Sequence, residues 1–125
     1  MGTALLYNLS GDKGRKIRML CMKQKLKIKA VDPSQYGEKI GALAGIAGME
    51  LTGIPYDEDT FADEMMVLVD FSDQTLNRFL SGFKTLKIPR VDLKAVLTET
   101  NCQWTSIELH QEIAKEHEQM HGGVK

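Results

Sequence analysis

Two histidines and a glutamate near the C-terminal end, His117-Glu118-Gln119-Met120-His121, match H-E-x-x-H. That spacing puts two imidazoles on one helix face, where they hold zinc beside a glutamate base. The surroundings oppose this chemistry. Gly122-Gly123 would fray the last turn, and His110, seven residues before His117, is too far back for joint tetrahedral coordination. A solvated helix end without metal is expected. A second candidate is the loop Ser10-Gly11-Asp12-Lys13-Gly14, whose amides and lysine at a helix N-terminus would suit a phosphate. It matches neither the P-loop nor the dinucleotide fingerprint, so a plain capped turn competes. Asp32, Asp70 and Asp73 could share a divalent cation, but helix capping explains each alone. Cys102 lies just before a helix N-terminus, a setting that activates thiols, but the acidic helix that follows works against a thiolate.

These residues must be positioned by a chain that says nearly the same thing twice. Residues 4–31 run from an apolar stretch through Ser10 and a helical segment to Lys27-Ile28-Lys29-Ala30-Val31. Residues 65–96 run from an apolar stretch through Ser72 and a helical segment to Asp92-Leu93-Lys94-Ala95-Val96, with Ile88-Pro89-Arg90 added before the last strand. Strands are expected at 4–9 and 65–69, apolar on both sides and therefore central, and at 26–30 and 91–97, charged on one side and therefore edges. The first helix turns Ile17, Leu20 and Cys21 inward; the third is capped by Ser72 and turns Leu76, Phe79, Leu80 and Phe83 inward. Between the repeats, Tyr36, Ile40, Leu43, Ala44 and Ala47 predict a second helix, weakened by Gly37, Gly41, Gly45 and Gly48 at about 1 kcal/mol each. An acidic loop over 50–62 follows, the longest irregular and most mobile part expected. Thr105 and Glu108 form a capping box for a last, acidic helix, with Trp104 stapled onto Leu109.

This alternation predicts an α/β fold in one domain over 1–125, with two strand–helix–strand units and a four-stranded, mostly parallel sheet covered by helices, order 2-1-3-4. The rival is an α+β ferredoxin-like duplicated βαβ arrangement, order 4-1-3-2. In the parallel version the strand carboxyl ends share one rim, with a crevice between strands one and three. That rim would gather Ser10, Asp12 and Lys13 with Thr98, Asn101 and Trp104 as the ligand-binding set.

A net charge of −1 hides a segregation. Residues 13–29 carry eight Lys or Arg and no acid, whereas residues 40–77 carry only acids. The two surfaces either face each other or leave a basic face for an anionic partner. Nucleic acid is not expected, because the basic stretch lacks stacking aromatics. No apolar run approaches the ~20 residues that span a bilayer. No basic region precedes Leu5-Leu6, so no signal peptide is expected. Cys21 and Cys102 lie far apart and form no cluster, which points to free thiols in a reducing cytoplasm.

The stretch Lys94-Ala95-Val96-Leu97-Thr98-Glu99-Thr100-Asn101-Cys102-Gln103-Trp104-Thr105, followed by Glu108-Leu109, Glu112 and Glu116-His117, resembles a family of small bacterial proteins known as a domain of unknown function, number three-seven-eight-three. The similarity extends to the opening Leu-Tyr-Asn strand and the Tyr36-Gly37-to-Gly45 segment, so that it spans nearly the whole chain. The resemblance implies a cytoplasmic single-domain protein and carries no activity, cofactor or catalytic residue. Since no acid, base and nucleophile converge, the favoured reading is a non-catalytic regulatory or interaction module that binds a small anion or a protein partner. The alternative is a small enzyme acting on a phosphorylated metabolite at the rim. The residues specify no cofactor and no oligomeric state.

Overall fold

The computed structural model describes residues 2–122, with side chains up to Glu118. Strand β1 (Thr3–Tyr7), helix α1 (Gly11–Lys23) and strand β2 (Lys27–Ala30) form the first unit. Strand β3 (Met65–Val69), helix α3 (Asp73–Thr85) and strand β4 (Leu93–Val96) form the second. A 3-10 turn (Pro33–Gln35) and the single-turn helix α2 (Ile40–Leu43) follow the first unit. A 3-10 turn (Asn101–Gln103) and the long helix α4 (Ser106–Gly122) follow the second.

The sheet is ordered β2-β1-β3-β4, with the two most apolar strands in its centre. That is the expected 2-1-3-4 order, not the ferredoxin-like one. It is mixed, mostly parallel: β1 and β3 pair with their edge strands in parallel, but with each other antiparallel. The physical reason is the handedness of crossovers. Both units cross over right-handed by rule, and α1 and α3 pack on the same face, where Ile17, Leu20, Phe79 and Phe83 join Ala4, Leu6, Met66 and Leu68. Right-handed crossovers running outward to opposite edges can share a face only when their first strands oppose. The other face, with Leu5, Tyr7, Met65 and Val67, is covered by Ile40 and Leu43 of α2 and Leu109 of α4.

The repeat is a property of the backbone as well as of the sequence. β1 with β3, and α1 with α3, are separated by a constant 62 residues. Leu5 faces its own equivalent Val67 across the central pair, and Lys39 faces Thr105 in an isolated antiparallel bridge. A local two-fold axis therefore runs through both contacts. On the helix layer it places Leu20 against its equivalent Gly82, where a Cβ would collide with the Leu20 methyls.

Both repeated helices end in the same way. Leu26 N–H donates to Cys21 O and Lys25 N–H to Met22 O; Ile88 and Lys87 do likewise with Phe83 and Lys84. Such a motif wants glycine at its left-handed residue, yet Lys25 (φ 59°) and Lys87 (φ 56°) occupy it. Lys25→Gly and Lys87→Gly are each expected to raise stability by about 1 kcal/mol, read as a higher denaturation midpoint. An unchanged or lowered midpoint would show that the lysine side chains compensate for the strain.

Two expectations are corrected. The second helix shrinks to Ile40–Leu43, because Gly45 (φ 78°) and Gly48 (φ 86°) turn the chain into the left-handed region. Leu80, expected in the core stripe of α3, is 37% exposed.

Candidate functional site

The antiparallel central pair divides the expected rim. Ser10, Asp12 and Lys13 stand at the end of the sheet where β1 finishes; Thr98 and Asn101 stand at the opposite end, where β4 finishes. Trp104 is at neither, its carbonyl accepting from Ile40 N–H beside the Lys39–Thr105 bridge. The six residues are therefore not one constellation.

At the first end, the Ser10 side chain makes no capping bond, and Asp12 pairs with Arg15. Lys13 Nζ donates to Glu64 Oε1 at 2.6 Å and to Arg90 O at 2.9 Å. At the other end, Asn101 is buried and closes its own loop. Its Oδ1 accepts from Thr98 N–H, its Nδ2 donates to Val96 O, and its backbone N–H donates to Thr98 Oγ1. The capping box on α4 forms as expected between Thr105 and Glu108.

A hub unforeseen in the sequence sits where β1 ends. Asn8, in the left-handed region at φ 58°, donates to Phe61 O and Asp63 O at 2.9 and 3.0 Å and accepts from the Tyr36 hydroxyl at 3.4 Å. Phe61 stacks between Tyr36 (4.7 Å) and His110 (3.9 Å), and His110 Nε2 meets Asp63 Oδ2 at 2.9 Å. The acidic segment expected to be mobile is thus strapped to the sheet. Phe61 and Tyr56, the two aromatic residues of this segment, were the signals that it has an anchor. Beside the strap, Asp63, Glu64, Arg90, Asp92 and His117 line a cleft of about 470 Å³. His117 is half-buried on α4, while the His121 side chain of the H-E-x-x-H match lies outside the described residues. Among the described residues, no three His, Cys, Asp or Glu side chains group as a metal site.

A second strap is held by Glu38, whose carboxylate accepts from the backbone N–H groups of Thr52 and Gly53. Those bonds, the one from Thr52 first, draw its pKa below the ordinary 4.5. A carboxyl with a depressed folded-state pKa stabilises the fold above its unfolded value, and that contribution is lost as pH falls through the folded one. Glu38→Gln is therefore expected to weaken the protein at pH 7 and to flatten its loss of stability below pH 4.5, followed by denaturant midpoints across pH. Parallel curves for parent and variant would remove Glu38 from the acid response.

The basic residues gather along α1 and the β2 edge. Lys16 and Lys23 lie on α1, Lys25 at its end, and Lys27 and Lys29 on edge strand β2. None of these five has a carboxylate partner among the described residues. The acidic helix α4 does not neutralise those on α1, because it packs on the opposite face of the sheet, whereas Lys27 and Lys29, paired with Thr3 and Leu5, project to the α4 side of the β2 edge. Met19 and Met22 stand exposed among them at 53% and 71%.

A family model matches the second unit. Residues 64–120 match the family model DUF3783, a domain of unknown function. No curated protein and no solved structure matches the chain. The DUF3783 match runs from just before β3 well into α4, so it covers the second repeat and leaves the first outside it. The sequence resemblance, read over nearly the whole chain, narrows to that half. The first unit repeats the backbone order and spacing of the matched one, and the family match does not extend to it.

Proposed function

We propose that the protein is a non-catalytic interaction module whose basic α1–β2 face docks an acidic protein partner. The supporting observation is the set of five lysines, Lys16, Lys23, Lys25, Lys27 and Lys29, gathered on α1 and the β2 edge without carboxylate partners among the described residues. Exposed Met19 and Met22 add the adaptable apolar contacts that such surfaces use. By contrast, Lys13, Arg15, Arg90 and His110 are each paired with an acid. A reducing cytoplasm is the compartment we infer, since Cys21 and Cys102 are both free thiols and burial pushes the Cys21 thiol up to about 11. Among the described residues no helix is long and apolar enough to cross a membrane.

The test compares proteins recovered on the immobilised chain with those recovered on Lys23→Glu/Lys25→Glu/Lys27→Glu, at two salt concentrations. Recovery of an acidic protein that falls with salt and disappears on the triple variant supports docking on this face. Equal recovery by both chains, or capture of nucleic acid in place of protein, would sink the reading.

A further inference from the structure

The second unit differs from the first at one place, and the difference opens a groove. In the first unit β2 begins at Lys27, directly after the helix-ending residue Leu26. In the second unit Pro89, Arg90, Val91 and Asp92 intervene between Ile88 and the start of β4 at Leu93. The inserted Val91 is buried against the α3 side of the sheet. Along the seam between α3 and β4, Leu80, Phe83, Ile88 and Val91 now line a slot of about 250 Å³. Its remaining lining residues are all cations: Lys84, Arg90 and Lys94.

Lys94 is the telling residue. Ala4 pairs with Ile28, and the equivalent Met66 pairs with Lys94, so the lysine occupies the position that an inward isoleucine fills in the other unit. From its alternation Lys94 belonged on a solvated edge; it is instead half-buried against α3. Its ammonium donates to Val91 O at 2.6 Å and meets no carboxylate among the described residues, Asp92 being engaged by Arg90 at 3.3 Å. A charge taken partly out of water calls for a counter-ion. Burial, and then Arg90, push its pKa below the ordinary lysine value.

We propose that the slot between α3 and β4 binds a small aliphatic carboxylate, with the chain along Leu80, Phe83, Ile88 and Val91 and the carboxylate against Lys94. Apolar walls with a cationic rim are complementary to that amphiphile and to neither a neutral chain nor a cationic one. The volume decides between a free ligand and a larger partner. It lies below the ~300 Å³ at which drug-sized ligand pockets begin, and fits one short chain.

The experiment is calorimetric titration of the full chain with decanoate below its micelle concentration, against decanol and decyltrimethylammonium. Decanoate is expected to bind saturably at one site, decanol at least about tenfold more weakly, and the cation not at all. Lys94→Ile, which installs the residue of the first unit, should reduce decanoate to the level of decanol. Leu80→Asp, at an exposed position, should abolish binding with the circular dichroism spectrum intact. Silence toward decanoate, equal affinity for all three probes, or parent-like binding by either variant overturns the proposal. So does binding of a Leu- and Glu-rich peptide where decanoate is silent, which would give the slot to a protein partner.

Discussion

Gly14→Ala is expected to lower stability by about 2 kcal/mol, although alanine is the better helix former. Gly14 is buried in the second turn of α1, and a Cβ there would sit inside contact distance of the Leu9 carbonyl oxygen and carbon. A backbone carbonyl cannot swing aside as a side chain does. Propensity alone would gain about 1 kcal/mol, and overpacking against a fixed group costs up to about 3 kcal/mol, so the collision wins. The repeat supplies an internal control. The equivalent residue is Leu76, and Gly14 N–H and Leu76 N–H make the same bond, to Ser10 O and Ser72 O. Leucine is therefore tolerated by the helix turn itself, and the ban on a side chain at Gly14 comes from the approach of Leu9. Urea denaturation of the variant decides the matter. A midpoint at or above the parent's would mean that Leu9 yields and the close approach is dispensable. The same geometry bears on the phosphate reading of this loop, since the Gly14 amide is already used within the helix.

How much of this was legible follows from which interactions are local. Strand order, the matched units, the Ser72 cap and the Thr105–Glu108 box were readable, because periodicity and capping are written within a few residues. The direction of the central pair was not. Leu5 and Val67 are apolar on either choice, and only the packing of α1 and α3 on one face selects antiparallel. That single unread bit separated Ser10, Asp12 and Lys13 from Thr98 and Asn101. The Asn8 hub was hidden for a related reason: its partners Phe61 and Asp63 lie more than fifty residues away, and a lone asparagine after a strand reads as a turn. Lys94 was misread because alternation assigns a face but cannot say whether a helix covers it.

Asn101→Ala carries the second large effect and separates a ligand role from a structural one. The side chain is only 9% exposed and satisfies Thr98 N–H and Val96 O at once, at 2.8 and 3.0 Å. Truncation strands a donor and an acceptor beside the end of an edge strand, at a cost of about 2–3 kcal/mol, since an unsatisfied buried group loses its full desolvation penalty. Asn101→Asp should be no milder: it keeps the acceptor for Thr98 but turns a carboxylate oxygen toward the Val96 carbonyl. Thr98→Ala removes one bond, its hydroxyl accepting from Asn101 N–H, and should cost nearer 1 kcal/mol. Because Asn101 and Thr98 share those bonds, the double variant should cost less than the sum of the two. A residue kept for binding behaves in the opposite way, leaving the denaturation midpoint where it was and changing only affinity. If Asn101→Ala unfolds at the parent's midpoint, the loop is held by something other than its amide, and Asn101 returns as a candidate for ligand contact at the β4 end of the sheet.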